Sequence, residues 1–198
     1  MTLWPLGSSS VSAVARPLLL AVSLYWIPSL ESAAEASDLR QFLGIYVGEA
    51  IVEDLTTGKS YERHLDIEVT PYHQDGLRID WVTVELVNGM RDQPGVKRWS
   101  QEARFKPSES KGFLVEVGEN DVFRERQAMV PIEGDPVRWT RIDDNSLHTS
   151  SFVVTEDGRY ELQLYQRILT DIGMDIQFER IVDGKTVRRA VGRTARTQ

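Results

Sequence analysis

Residues 173–194 read GMDIQFERIVDGKTVRRAVGRT, two alternating runs around the pair Asp183-Gly184. In the first run, apolar residues occupy every second position from Met174 to Phe178. This period predicts a strand with one buried face. Asp-Gly between two such runs predicts a two-residue hairpin turn, because both central residues of that turn need positive φ. The stretch therefore predicts two antiparallel strands joined by a tight turn.

The same alternation recurs along the rest of the chain. It predicts strands at 44–53, 60–70, 76–87, 96–106, 111–117, 126–132, 137–142, 146–154, 159–169, 173–182 and 185–194. A second Asp-Gly pair, at 157–158, separates two of them. Strands joined by short turns pair with their sequence neighbours, and closure removes exposed edges. We therefore predict an all-β chain, an antiparallel up-and-down meander of about ten strands closing into a barrel after a short N-terminal helix over 37–43. A sandwich or an open curved sheet is the alternative.

The first 36 residues have the layout of a signal peptide. A single cation, Arg16, precedes the apolar run 18–27, and the small residues Ala34 and Ala36 suit a cleavage site. The run is short against the roughly 20 residues needed to span a bilayer. We expect cleavage after Ala36, or after Ala34, a single domain over 37–198, and no stable membrane insertion after cleavage. The predicted location is periplasmic or secreted.

Composition limits the partners. The whole chain has a net charge of −7, and the part after residue 36 keeps 22 basic and 28 acidic residues. This balance gives no bulk attraction for nucleic acid. The chain has no cysteine, so disulfides are absent, and it carries no zinc or haem motif. We expect no metal and no other cofactor.

The start of the first predicted strand, Phe42-Leu43-Gly44-Ile45-Tyr46, resembles the Phe-x-Gly-x-Trp start of the calycin superfamily, the lipocalins and fatty-acid-binding proteins. Tyrosine replaces the usual tryptophan, and the connector 53–59 is shorter than the helical lid of fatty-acid-binding proteins. The resemblance implies a calycin-like barrel and a tendency to bind small apolar or amphipathic molecules.

Seven residues are candidates for ligand binding. Aromatic residues in different strands suit a cavity wall, although they suit a solid core as well, and a cation on an apolar face must be paired or stacked. The candidates are Tyr46, Trp81, Trp99, Trp139, His148, Arg180 and Arg189. An apolar pattern that changes phase after Trp81 also predicts a β-bulge at residues 81–82.

The two candidate arginines admit two interpretations. Arg180 shares the apolar face of Ile176 and Phe178, and Arg189 lies between Val187 and Val191. In the first interpretation both face the cavity and bind a ligand carboxylate. In the second, one stacks on Tyr46 at the end of the barrel and the other is exposed.

Two further patterns concern which way the strands face. Leu65, Ile67 and Val69 alternate with His64, Asp66 and Glu68, which predicts that the last three lie on the outer face, although they could also begin a metal site. In 159–169 we expect the apolar set to face inward and the charged set to face solvent. The two sets are Tyr160, Leu162, Leu164, Gln166 and Ile168, and Glu161, Gln163, Tyr165 and Arg167.

These patterns predict an exported soluble β-barrel that binds a small hydrophobic or amphipathic ligand, including anionic ones, without catalysis. The first alternative is an interaction or structural protein of the cell envelope with a packed barrel and an exposed apolar patch. The second is an enzyme at the barrel mouth that uses His148, Asp66 and Glu68. No residue is predicted to be catalytic, and the sequence leaves the ligand and the oligomeric state open.

Overall fold

The computed structural model describes residues 39–110, 112–118 and 130–197. The predicted signal peptide, residues 1–36, lies outside this range. The ten strands are β1 (Gly44–Asp54), β2 (Lys59–Tyr72), β3 (Gly76–Glu85), β4 (Arg98–Pro107), β5 (Phe113–Glu116), β6 (Val137–Asp143), β7 (Ser146–Val154), β8 (Tyr160–Leu169), β9 (Gly173–Val182) and β10 (Lys185–Arg196).

The strands form a closed antiparallel barrel. Each strand pairs with its neighbours in sequence, and β1 pairs with β10 to close the sheet. The closing ladder runs from Tyr46 opposite Arg196 to Asp54 opposite Arg188. The predicted up-and-down meander and its closure are therefore confirmed.

Two predicted elements differ or cannot be compared in full. Of the predicted strand 126–132, residues 126–129 lie outside the described range, and Pro131–Glu133 form a short 3₁₀ helix. Proline cannot donate to a β-ladder and suits the first turn of a helix. Of the predicted helix 37–43, only residues from Leu39 onward are described, and there the Phe42 amide donates to the Leu39 carbonyl over 3.2 Å in a single turn.

The hairpin that decides the fold forms as predicted. Asp183 and Gly184 have φ of 50° and 76°, the positive values that the turn requires. Gly158, in the other Asp-Gly pair, has φ of 78°. Both turns join neighbouring antiparallel strands, β9 to β10 and β7 to β8.

One end of the barrel is closed by apolar side chains and by the segment that precedes β1. Phe42 and Tyr46 are fully buried there. The Tyr46 hydroxyl donates to the Phe42 carbonyl over 2.9 Å and accepts from Arg196 Nε over 3.0 Å. The Arg196 guanidinium lies 5.1 Å from the centre of the Tyr46 ring. An arginine does stack on Tyr46, but it is Arg196 rather than Arg180 or Arg189.

Strand β8 presents the opposite face to the interior from the one predicted. Arg167 and Glu161 are only 2% and 5% exposed, whereas Tyr160 is 42% exposed. The polar set of β8 therefore faces the interior, and the apolar set with Leu162 and Leu164 faces outward. The physical reason is that these polar groups bond one another and the neighbouring strands inside the barrel, which makes their burial tolerable.

In β10, Arg189 is exposed beyond an irregularity of the strand, as the second of the two interpretations has it. The register against β9 shifts between Thr186 and Arg188. A bulge of this kind changes which residues of a strand point inward. Arg188 consequently lines the interior, while Arg189 points outward and Val191 is 67% exposed.

No bulge occurs at Trp81, because β3 keeps its register with both neighbours. Trp81 faces the interior and Val84 the outer side, yet both are buried. The connector after β3 returns over the outer face of β2, where Arg91 reaches Asp66 at 3.1 Å. The apolar pattern changes phase after Trp81 because the connector covers the outer surface there, not because the strand contains an extra residue.

The outer face of β3 and β4 carries a ladder of ion pairs. Arg78 contacts Asp80 at 2.7 Å and Glu102 at 2.9 Å, and Arg104 also contacts Glu102. Charged groups of this density are incompatible with a hydrocarbon environment. Within the described ranges, no helix has the length and apolar character needed to cross a membrane.

Closure can be tested with an engineered disulfide, since the chain has no cysteine of its own. Ile51 and Val191 are directly opposed between β1 and β10, and both are exposed. We expect I51C/V191C to form an intramolecular disulfide on mild oxidation, because directly opposed side chains come within reach of each other. Titration of free thiols measures the outcome.

The matched control is I51C/R189C, which places the second cysteine two residues away on the same outer face. Diagonal pairs are about 7–8 Å apart, too far for a disulfide without backbone movement. Free thiols in the first variant after oxidation, or equal oxidation of both variants, would contradict the closed register.

Candidate functional site

A cavity of about 360 Å³ lies inside the barrel, toward the end opposite Tyr46. Its walls come from β1 to β4 and from β8 to β10. The volume lies in the lower part of the range of small-molecule sites, about 300–1,000 Å³. Apolar wall residues include Leu65, Ile67, Trp81, Ile176 and Phe178, and the charged ones are Arg63, Glu161, Arg167, Arg180 and Arg188.

Arg167 is the most unusual group in this cavity. Its guanidinium lies 5.7 Å from the ring centre of Trp81 and 5.4 Å from that of Tyr165. Nη1 donates to Thr149 Oγ1 over 3.2 Å, and Nε has no partner in the described part of the chain. No carboxylate of the described residues forms an ion pair with it. Arg167 is thus a buried cation that no carboxylate in residues 39–110, 112–118 and 130–197 balances.

Burial lowers the pKa of Arg167 to about 10, so the side chain remains protonated at neutral pH. An unpaired charge in the interior costs several kcal/mol, and contact with an aromatic face returns only about 0.5–2 kcal/mol. Most of the cost of burying the Arg167 charge therefore remains, and an anion bound in the cavity would reduce it.

Hydroxyl groups on two strands fix the position of Arg167. Thr149 Oγ1, its partner on β7, lies 3.0 Å from Thr140 Oγ1 on β6. Thr140 in turn donates to the His148 carbonyl over 2.8 Å. Both threonines are fully or nearly fully buried. This chain holds one edge of the guanidinium and leaves its Nε edge unbonded.

A line of polar groups runs from Arg167 toward the mouth along the inner face of β8. The Tyr165 hydroxyl donates to Gln163 Oε1 over 2.8 Å, and the Gln163 amide donates to Glu161 Oε1 over 2.5 Å. Arg180 on β9 donates to the other Glu161 oxygen. Burial raises the pKa of Tyr165, which keeps the phenol neutral as a donor. Glu161 is thus satisfied by its neighbours.

Opposing effects set the pKa of Glu161. Burial alone would raise it, but the hydrogen bonds from Arg180 and Gln163 and the charge of Arg180 outweigh burial. The pKa of Glu161 therefore lies below its ordinary value, and the carboxylate is ionised at neutral pH.

Two further arginines lie nearer the mouth. The Arg63 guanidinium lies 4.3 Å from the Trp99 ring centre and 5.1 Å from that of Tyr61. Arg188 contacts Asp54 at only 3.5 Å. Hydrogen bonds from Thr56 and Thr57 hold the pKa of Asp54 below its ordinary value.

The cavity is therefore strongly cationic. Four arginines and one glutamate line it, a net charge of +3. The Nε atom of each of these arginines is buried and has no hydrogen-bond partner in the described ranges. Arg78 Nε on the outer face is in the same state, so it is the net positive charge of the cavity, rather than these atoms, that favours an anion.

Three of the seven predicted ligand-binding residues line this cavity. Trp81 is buried in its wall, Trp99 is 39% exposed near the mouth, and Arg180 faces inward beside Glu161. Both tryptophans therefore lie in the wall of an open cavity. The charge of Arg180 is partly neutralised by Glu161.

The other four lie elsewhere. Tyr46 is at the closed end, and Arg189 is on the outer face, 3.0 Å from Glu179. Trp139 and His148 also point outward, because Thr140 and Thr149, the residues that follow them, point inward. These four residues therefore do not line the cavity with the other three.

Three residues of the cavity wall were not predicted as site residues from the sequence: Arg63, Arg167 and Arg188. Arg167 did stand out as a member of the polar set of β8, but that set was expected to face solvent. Arg188 was hidden by the bulge before it. Arg63 lies two residues before Leu65 in the alternation of β2, and this spacing is the signal that could have placed it inside.

The candidate metal or catalytic residues do not come together. His64 Nε2 lies 3.0 Å from Asp66, which also contacts Arg91, on the outer face of β2. His148 is on β7, which lies across the barrel from β2 in the strand order. It cannot join Asp66 and Glu68 in one site. Among the described residues, no group of three or more histidines or carboxylates is placed to hold a metal.

No protein-family model matches this sequence, and no curated protein matches it. Among solved structures, one that matches is described as "Crystal structure of an N-terminal dehydratase from difficidin assembly line". The match has 8% sequence identity and a TM-score of 0.22 over 85% of this chain and 82% of the other. A TM-score this low does not establish a shared fold.

Replacement of Glu161 tests the polar line of β8. Since the pKa of Glu161 is lowered in the folded state, its ionised form stabilises the protein above the unfolded-state pKa of about 4.3. That stabilisation is lost as pH falls through the folded-state value. We expect E161Q to lower the free energy of unfolding at pH 7 by about 1–2 kcal/mol, a value reduced for the partial exposure of Arg180. Urea unfolding at pH 7 and pH 3 measures it.

The matched control is E179Q, which removes the exposed partner of Arg189 and should change stability by less than about 0.5 kcal/mol. The difference between E161Q and the unmodified protein should shrink at pH 3. An equal difference at both pH values would show that the ionised carboxylate is not what stabilises the fold.

Proposed function

We propose that this protein binds a small amphipathic anion inside the barrel, with the acidic group of the ligand on Arg167 and its apolar part against Trp81 and Phe178. The observation that carries the proposal is the buried guanidinium of Arg167, which has no carboxylate partner among the described residues. A ligand carboxylate would accept from the unbonded Nε edge, the geometry for which a guanidinium is suited.

The remainder of the wall supports an apolar body for this ligand. Leu65, Ile67 and Ile176 line the same cavity as Arg167. Each square ångström of apolar surface removed from water contributes about 25 cal/mol. Anchoring by charge and retention by apolar burial together define an amphipathic molecule, and the volume of about 360 Å³ limits it to a small one.

The proposal is for binding without turnover. The described polar groups of the cavity are guanidinium, amide, phenol and hydroxyl groups, together with the ionised Glu161. Such groups hold and orient an anion. The signal-peptide layout of residues 1–36 supports export, and the resemblance at residues 42–46 supports a calycin-like carrier acting in the periplasm or outside the cell.

The alternative of an interaction protein with a packed barrel is less well supported. It predicts an interior filled by side chains, whereas Trp81, Trp99 and Phe178 surround open space. The outward-facing apolar residues of β8 are compatible with a surface contact, but they do not account for an unpaired cation in the interior.

Arg167→Met tests the proposal, because methionine keeps the length and packing of the side chain and removes the charge. We expect octanoate binding to weaken at least about tenfold, since a charge-assisted hydrogen bond is worth about 1.5–3 kcal/mol. Stability should stay the same or rise by up to about 2 kcal/mol, because a buried charge without a counter-ion is removed. Calorimetric titration and urea unfolding measure the two effects.

Arg189→Met is the control, since Arg189 lies on the outer face and should not affect octanoate binding. Loss of more than about 2 kcal/mol of stability in R167M would make Arg167 a structural residue, because only a buried group with a compensating partner destabilises on removal to that extent. Octanoate binding that is absent in the unmodified protein, or that is unchanged in R167M, would refute the proposal.

A further inference from the structure

The cavity holds two arginines, rather than one, that have no carboxylate partner among the described residues. Arg167 is the deeper of them, and Arg63 is the second. Within the described residues, the partners of Arg63 are aromatic: its Nη2 donates to the Tyr61 hydroxyl over 3.3 Å, and its guanidinium stacks on Trp99. Its Nε is buried and has no hydrogen-bond partner there.

The other two cavity arginines differ in this respect. Arg180 is bonded to Glu161, and Arg188 contacts Asp54. Their charge is therefore balanced at least in part by groups of the protein itself. Arg63 and Arg167 leave two positive charges that the described part of the chain does not balance.

The two unbalanced cations lie at different depths. Arg167 contacts Trp81, which is opposite Gln101 on β4, and Arg63 contacts Trp99, two residues nearer the mouth on that strand. Two residues correspond to about 7 Å along a strand. The tryptophans that hold the two guanidiniums are offset by this distance, and two negative charges are needed to balance the two cations.

We infer that the ligand carries two acidic groups joined by an apolar spacer, one held by Arg167 and the other by Arg63. This inference rests on the proposed function and narrows its ligand class from amphipathic anions to dianions. The face of Trp99 orients the Arg63 guanidinium, so little side-chain freedom is lost when the second acidic group binds.

The test compares two acids with the same number of carbons, octanoate and its dicarboxylate counterpart suberate, by calorimetric titration of the purified protein. We expect suberate to bind about tenfold more tightly, the size of one added charge-assisted hydrogen bond. R63Q should lose this preference, because suberate weakens by about tenfold while octanoate changes by less than about threefold. R189Q, on the outer face, should keep the preference.

The outcomes separate the inference from the proposed function. Octanoate that binds at least as tightly as suberate, in a manner that depends on Arg167, would overturn the inference and leave the proposed function standing. A preference for suberate that persists in R63Q would overturn the role of Arg63. If neither acid binds, the proposed function fails and the inference fails with it.

Discussion

The positive charge of Arg167, buried beside two aromatic rings without a counter-ion among the described residues, is the constraint on which the interior depends. A charge at this depth is tolerable only where polar groups surround it. The hydroxyls of Thr140 and Thr149 on two neighbouring strands, and the polar line along β8, provide such groups. Interior polarity is therefore a property of β6 to β8 together, and it explains why the apolar side of β8 faces outward.

The barrel consequently has two ends of different character. At one end Phe42 and Tyr46 are fully buried, and Arg196 is bonded to the Tyr46 hydroxyl and stacked on its ring. Toward the other end, four arginines face a cavity together with Trp81 and Trp99. At the first end, the Arg196 cation is bonded to groups of the protein itself. At the second end, arginine N–H donors have no hydrogen-bond partner among the described residues. This asymmetry separates the part of the chain that stabilises the barrel from the part that can recognise an anion.

Sequence alternation predicted the strands, the Asp183-Gly184 turn and the closed meander because these depend on local period and turn geometry. The alternation did not predict correctly which face of a strand points into the barrel. Period 2 tells which residues share a face, but not which of the two faces is buried when the inner one is polar, as in β8. The bulge before Arg188 has no local signature in the sequence and reverses the inward set of β10. Trp81, Trp99 and Arg180 were found because they lie on strands whose inner face is apolar.

The central claim is that Arg167 is kept charged and unpaired for a ligand anion, and the NMR signal of its Nε–H group reports on this directly. On titration with octanoate, we expect a large downfield shift of the Arg167 Nε proton, since a carboxylate then accepts from it. The signal of Arg189, already bonded to Glu179 on the outer face, should not move. An Arg167 signal that stays in place while octanoate binds would show that the acid is held elsewhere, and would contradict the account.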